Sequence, residues 1–236
     1  MITLEQVKEN EEIKALIEAS SNVLEAMNYT EHGVRHAGYV SWTCSMILLK
    51  LGYDEHIQEL GKIAGYVHDI GNAVNRKDHG VTSACLVYGI LKDMKMPFAD
   101  IALICSAIGN HEEEIGWVVN AISAALVIAD KSDAHRTRVK RLKNYNNDIH
   151  DAVNHSIQKN IVLVDGVKKI ISVKFYMDDT SSVMDYLSIF LQRMIMSEKA
   201  AQFLGCTFKL YINDVVINTT KQMQDSVVDI IEDDEN

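Results

Sequence analysis

A chain of 236 residues with 47% hydrophobic side chains is long enough to bury one good core, or one domain with a small second one. Its net charge of −10 argues against a general nucleic-acid-binding surface, because neutralising a phosphate backbone needs clustered basic residues. No run approaches the roughly 18 apolar residues of a membrane span, and Met1-Ile2-Thr3-Leu4-Glu5-Gln6 has neither the basic nor the apolar region of a leader, so the sequence reads as cytoplasmic, with no membrane and no stable nucleic-acid partner.

The four cysteines, Cys44, Cys85, Cys105 and Cys206, are scattered without a Cys-x-x-Cys pair, which predicts core thiols rather than zinc ligands or disulfides. Thr3, with Gln6 three residues on, opens a helix predicted to run to Met27, with an apolar stripe at Ile13, Leu16, Ile17, Leu24 and Met27. A polar break at 28–33 precedes a second helix to Leu51, with Ala37, Val40, Cys44, Ile47 and Leu48 facing inward. His36 lies four residues before Val40 and so points toward the core, where an unpaired imidazole is costly. In the third helix Ile57, Leu60, Ala64 and Val67 mark the buried face, His68 extends it, Asp69 follows, and Gly71 supplies the predicted end. Adjacent helical side chains diverge by about 100°, so His68 and Asp69 reach one point only at the edge of that face or at the helix end. There they offer an N and an O donor suited to a borderline divalent metal. For the dipeptide in isolation, a buried His bonded to a carboxylate is the simpler explanation.

A polar loop with Asn75, Arg76 and Lys77 leads to His79-Gly80 and a helix marked by Val81, Ala84, Cys85, Tyr88 and Leu91. After Pro97, Ile101, Ile104, Cys105 and Ile108 mark the next helix, and His111 follows Ile108 by three residues. Val119, Ile122, Leu126 and Ala129 form a further stripe that Asp130 continues. His36, His68, His79, His111, Asp69 and Asp130 thus extend apolar faces. One shared metal centre satisfies them all at once, whereas otherwise each needs its own buried partner. His32, His56, His135, His150 and His155 fall in polar surroundings and read as surface residues. The basic cluster Arg136, Arg138, Lys140, Arg141 and Lys143 reads as a solvated helix face or, given its place after Asp130, as a rim attracting an anionic substrate.

After Asn154 the period becomes alternating. Ile161–Val164 and Ile171, Val173, Phe175 and Met177 around Asp165-Gly166 predict a hairpin. A helix from about Ser181 with Met184, Leu187, Leu191 and Met194 inward follows, then a third strand at Cys206, Phe208, Leu210 and Ile212. The expected fold is mainly α, with a helical domain over residues 1–154, a small α+β (ββαβ) unit over 155–218, and a short helix and acidic tail over 219–236. Three strands leave open edges, through which the unit pairs with a second copy in the expected homodimer.

In order on successive helices, Val34-Arg35-His36, His68-Asp69-Ile70-Gly71-Asn72 and Ile128-Ala129-Asp130-Lys131 resemble the HD superfamily of metal-dependent phosphohydrolases, over roughly residues 30–140. His79-Gly80-Val81-Thr82-Ser83-Ala84 and Asn110-His111-Glu112 resemble the extra histidine segments of its two-metal members. The resemblance implies an HD-type helical bundle in which His36, His68, Asp69 and Asp130 hold one divalent ion, Asp69 bridges, and His79 and His111 hold a second. Asn110 departs from the pattern where several two-metal members have another His, so the one-ion arrangement stays open. Iron and manganese lead as the metals, with zinc, cobalt, nickel and magnesium as alternatives. The implied activity is hydrolysis of a phosphate ester or phosphoanhydride of a nucleotide or similar small phosphorylated metabolite by a metal-activated hydroxide, with no side-chain nucleophile. Arg76 and Lys131 are then the candidates to neutralise phosphate charge, Glu112 or Glu113 to protonate the leaving group, and Asn72 and Asn110, with Arg76 and Lys131, to contact substrate. A di-iron oxygenase of HD type and a regulatory module that binds metal or nucleotide without turnover are the alternatives.

Overall fold

The first predicted helix is two helices, because Asn10 interrupts it. In the computed structural model, which describes residues 2–27, 29, 32–139 and 149–218, α1 (Leu4–Glu9) stops at Asn10 and α2 (Glu11–Ala26) starts from it. The Asn10 backbone is extended and its side chain accepts from the Glu12 and Ile13 amides, an N-cap stronger than the continuing helix. The predicted Thr3–Gln6 capping box forms as read.

α3 (Val34–Leu51) and α4 (Glu55–Val67) are joined by a tight turn at Gly52, whose φ is +87°. They pack so closely that a Cβ on Gly65 would lie 2.7 Å from Ser41 Cα. This antiparallel pairing sets the start of α3 beside the end of α4. α4 ends at His68 rather than at Gly71, and a short 3-10 helix (Ile70–Ala73) follows. Gly71 serves instead as a point of close approach: its amide donates to Ser83 Oγ at 2.7 Å, and a Cβ there would sit 2.5 Å from the Ser83 nitrogen. That contact sets the rotation of α5 (His79–Asp93), which buries Ser83, Val87, Ile90 and Leu91 and leaves the predicted Val81 and Tyr88 exposed. α6 (Phe98–Gly109) packs against α5. α7 (Ala121–Lys131), buried from Ile122 to Ala129, packs against α3, α4 and α6.

A 3-10 turn (Arg136–Arg138) and α8 (Ile149–Ser156) lead into the sheet. β1 (Ile157–Asp165) and β2 (Ile170–Met177) form the predicted antiparallel hairpin. α9 (Val183–Phe203) crosses over to β3 (Thr207–Ile212), which runs parallel to β2 with Val173 opposite Leu210. A two-residue strand, β4 (Val215–Val216), adds a fourth member to the order β1-β2-β3-β4, where three were expected. The buried face of α9 also differs: Tyr186, Phe190, Met194, Ser197 and Ala201 turn inward, while Met184 and Leu191 are 73% and 48% exposed. Tyr186 stacks between Phe175 of β2 and Phe190, and this aromatic contact fixes the face. α9 also packs on α7, and one buried apolar cluster runs from Leu4 to Ile212.

The fold is therefore mainly helical with a small C-terminal α+β unit. Cys44 and Cys206 are buried free thiols, whereas Cys85 is exposed, contrary to the core expectation. Among the described residues no helix is long and apolar enough to cross a membrane. The predicted helix from Thr220, the acidic tail, and Lys140, Arg141 and Lys143 lie outside the described residues.

Candidate metal centre

Helix ends bring the polar residues together. His36 is in the first turn of α3, His68 caps α4, His79 begins α5, His111 follows α6, and Asp130 is in the last turn of α7. Asp69 follows His68, its carbonyl receiving hydrogen bonds from Ser20 Oγ and Asn72 Nδ2. The histidines and Asp69 are nearly inaccessible to solvent.

Their ligand atoms form two adjoining groups. In the first, His36 Nε2 is 3.3 Å from His68 Nε2, 3.4 Å from Asp130 Oδ1 and 3.6 Å from Asp69 Oδ2. In the second, His79 Nε2 is 3.1 Å from both His111 Nε2 and Asp69 Oδ1. Asp69 thus turns one oxygen to each group. Ligand bonds of about 2.1 Å put neighbouring donors about 3.0–3.4 Å apart, close to the 3.1–3.7 Å separations of these donors.

The other face of each imidazole is anchored. His36 Nδ1 lies 2.6 Å from Asp133 Oδ2, His68 Nδ1 2.9 Å from Gly65 O, His79 Nδ1 3.0 Å from Arg76 O, and His111 Nδ1 2.6 Å from Ile108 O. An oxygen acceptor at each Nδ1 takes a proton there and turns each Nε2 into the cluster as the atom that would bind an ion. Nitrogens 3.1–3.3 Å apart need a proton or a metal ion between them, and a divalent ion meets this need for both pairs. Burial would raise both carboxyl groups, but for Asp69 the surrounding histidines, and for Asp130 the Lys131 and histidine contacts, hold them well below the usual carboxylate range. Two ionised carboxylates and four oriented imidazoles fit one or two divalent ions.

Several predicted substrate residues have other partners. Lys131 is buried, 2.8 Å from Asp130 Oδ2 and 3.0 Å from Glu113 Oε1. Glu113 Oε1 is also 3.0 Å from Arg193 Nε of α9, so a chain of charges joins Asp130 to the C-terminal unit. Glu112 accepts from the Gly80 amide at 2.7 Å and lies 3.0 Å from His79 Nδ1. Burial would raise its carboxyl, but the His79 contact and the Gly80 amide hold it below its ordinary value. Lys131 and Arg193 likewise outweigh burial at Glu113 and bring it to about 2. Both glutamates are thus held as acceptors in this arrangement, where one of them was expected to protonate the leaving group. Asn72 is buried against the Asp69 carbonyl, and Asn110 bonds to the Ser106 carbonyl and the Trp117 amide; both hold backbone. Arg76 does reach the site, beside the His79 ring at 3.2 Å and over Tyr29 at 5.5 Å.

Two participants escaped the sequence reading. Asp133 is 1% exposed and binds Arg35 through both oxygens, at 3.2 and 2.8 Å, as well as His36. His32, expected at the surface, packs 5.3 Å from the His36 ring and sits 2.8 Å from an Arg138 terminal nitrogen. Burial holds His32 well below its ordinary value, so it is the neutral acceptor this arginine requires. Of the basic cluster, Arg138 is buried and Arg136 pairs with Asp178 at 2.8 Å, so Arg136 is a structural tie rather than a rim.

A cavity of about 720 Å³ opens beside the cluster, lined on one side by Arg76, His79 and Glu112 and on the other by Asn154, Phe190 and Arg193.

Fold and site together define a helical bundle that gathers four histidines and two aspartates, a set suited to divalent metal, at its helix ends. No family profile matches the chain. Ribonuclease Y of Oceanobacillus iheyensis is 29% identical over 122 residues, 50% of this chain and 21% of that protein. Ribonuclease Y of Lawsonia intracellularis is 31% identical over 120 residues, 50% of this chain and 22% of that protein. The chain thus spans about a fifth of the length of these curated relatives. A crystal structure described as a predicted HD superfamily hydrolase, from an uncultured Thermotogales bacterium, has a TM-score of 0.43 and 21% identity, covering 57% of this chain and 75% of that one.

Proposed function

We propose that the protein is a metal-dependent phosphohydrolase that cleaves a phosphate ester or phosphoanhydride of a nucleotide or similar small phosphorylated metabolite. The observation that carries this reading is Asp69, whose two oxygens face two separate histidine groups. His36, His68, Asp69 and Asp130 would hold one ion, and Asp69, His79 and His111 a second. When bound, such ions supply Lewis acidity that lowers the pKa of water and neutralises phosphoryl charge.

The protein's own groups do the rest. Asp133, Gly65, Arg76 and Ile108 fix the imidazole orientations through Nδ1. Lys131 holds the outer oxygen of Asp130, and Glu112 steadies His79. Arg76, at the cavity wall, is the side chain suited to oppose charge growing on phosphoryl oxygens. In the net reaction a water oxygen bonds to phosphorus and releases one proton to solvent, the bond to the leaving oxygen breaks with its electron pair, and that oxygen takes up a proton from solvent. The net charge of −10 and a cavity of about 720 Å³ favour a small substrate over a long RNA, the class that the name of the relatives suggests.

The test is a hydrolysis panel of nucleotide esters, nucleotide anhydrides and a short RNA with Mn²⁺ or Fe²⁺, alongside folded His68→Ala and Asp69→Ala variants and an oxygen-uptake control. Hydrolysis lost in both variants is expected. Hydrolysis retained in them refutes the reading, and metal-dependent oxygen consumption without hydrolysis replaces it with the oxygenase.

A further inference from the structure

The cavity beside the metal centre has a wall, built by α8 and α9, whose polar groups serve no part of the metal-ligand set. Arg193 lines it with its guanidinium fixed on two sides: Nε lies 3.0 Å from Glu113 Oε1, and the guanidinium carbon is 4.9 Å from the Phe190 ring centroid. Among the described residues its two terminal nitrogens have no hydrogen-bond partner. A guanidinium pinned along one edge presents the other as a planar fork matched to phosphate or carboxylate.

Asn154 adds an independent sign of a ligand. It lines the same cavity, is 3% exposed, and donates through Nδ2 to the His150 carbonyl at 2.8 Å. Its Oδ1 is buried without a partner. Only the nitrogen can donate to a carbonyl, so the amide orientation is settled and Oδ1 is left as an acceptor. A buried unsatisfied carbonyl is costly and rare, and a hydroxyl or amino group brought in by a ligand would satisfy it. The Asp130–Lys131–Glu113–Arg193 chain keeps this wall in register with the metal centre.

We infer that the α8–α9 wall is a recognition subsite for the part of the substrate beyond the metal-held phosphate, in which Arg193 takes a second phosphoryl group and Asn154 takes a hydroxyl or amino donor. The ligand class is a nucleoside or sugar carrying two phosphoryl groups. This rests on the phosphohydrolase reading, with Arg193 and Asn154 as its specificity-determining residues.

The test compares adenosine 5′-diphosphate with 4-nitrophenyl phosphate, which has neither a second phosphoryl group nor a hydroxyl, on metal-loaded full-length wild type, Arg193→Gln and Asn154→Leu. The ratio of kcat/KM for the diphosphate to that for the simple ester should fall about tenfold in each variant, mainly through KM, as expected for loss of a charge-assisted or buried hydrogen bond. An unchanged ratio in either variant, including an equal loss on both substrates, overturns the subsite. If wild type hydrolyses neither compound, the hydrolase reading fails separately, and calorimetric titration of adenosine 5′-diphosphate into the metal-loaded proteins decides the subsite. Binding about tenfold weaker in each variant supports it; no binding to wild type, or equal affinity in either variant, overturns it.

Discussion

Replacing Asp133 by Asn should weaken metal binding on the His36 side of the centre while leaving the protein folded. Asp133 is the acceptor that keeps the His36 proton on Nδ1, at 2.6 Å, and it is held by Arg35 at 3.2 and 2.8 Å. Asn preserves the shape and still offers one oxygen. It removes the negative charge that favours the Nδ1–H tautomer and stabilises a ligated imidazole, and it turns an amide group toward Arg35 or His36. Loss of such an outer partner costs about 10–100-fold in metal affinity, or about 1.4–2.7 kcal/mol. The cost to folding should approach the about 3–5 kcal/mol of a broken buried pair: the Arg35 side chain is 37% exposed and recovers water, whereas the buried Arg138 guanidinium, 3.9 Å from Asp133 Oδ2, loses its opposing charge. The assay is chelator-competition titration of Mn²⁺ or Co²⁺ paired with urea unfolding of the metal-free protein. Wild-type metal affinity in Asp133→Asn, whatever happens to stability, would refute the orienting role.

Gly71→Ala should destabilise the fold by about 1–3 kcal/mol, since the new Cβ would press into the start of α5 beside Ser83; an unchanged urea midpoint would show that the 3-10 turn can back away freely. Glu113 has a folded-state pKa depressed from 4.5 to about 2, so its contribution is present above pH 4.5 and is lost as pH falls toward about 2. Its size is on the order of 3 kcal/mol. The stability gap between wild type and Glu113→Gln, measured with chelator present, should therefore narrow on acidification through that window. A gap independent of pH would contradict the Lys131–Glu113–Arg193 arrangement.

What the sequence disclosed, and what it hid, divides along physical lines. His36, His68, His79, His111 and Asp130 interrupt or extend apolar stripes, and helical periodicity is enough to place them at helix ends on buried faces. Asp133 lies beyond the last turn of α7, where helical spacing gives no direction, so its approach to His36 was not legible. The adjacency Arg35-His36 and the Asp130-x-x-Asp133 spacing were the available hints. His32 looked polar because its neighbours in sequence are polar, yet a tertiary contact with Arg138 half-buries it against the site. Asn10 could have been recognised as a cap, but an apolar stripe on both sides masked the break. α5 and α9 carry apolar residues on more than one face, and which face turns inward is decided by Gly71–Ser83 and by Phe175–Tyr186, contacts with neighbouring elements that a helix's own periodicity does not reveal. β4, two residues long, has no period to read.

The most direct test of the account is elemental analysis of protein purified without chelator, together with a folded Asp69→Ala variant. Asp69 turns one oxygen to each histidine group, so about two divalent ions per chain are expected in wild type and their loss in the variant. No bound metal, even after anaerobic reconstitution with iron or manganese, or full retention in Asp69→Ala, would contradict it.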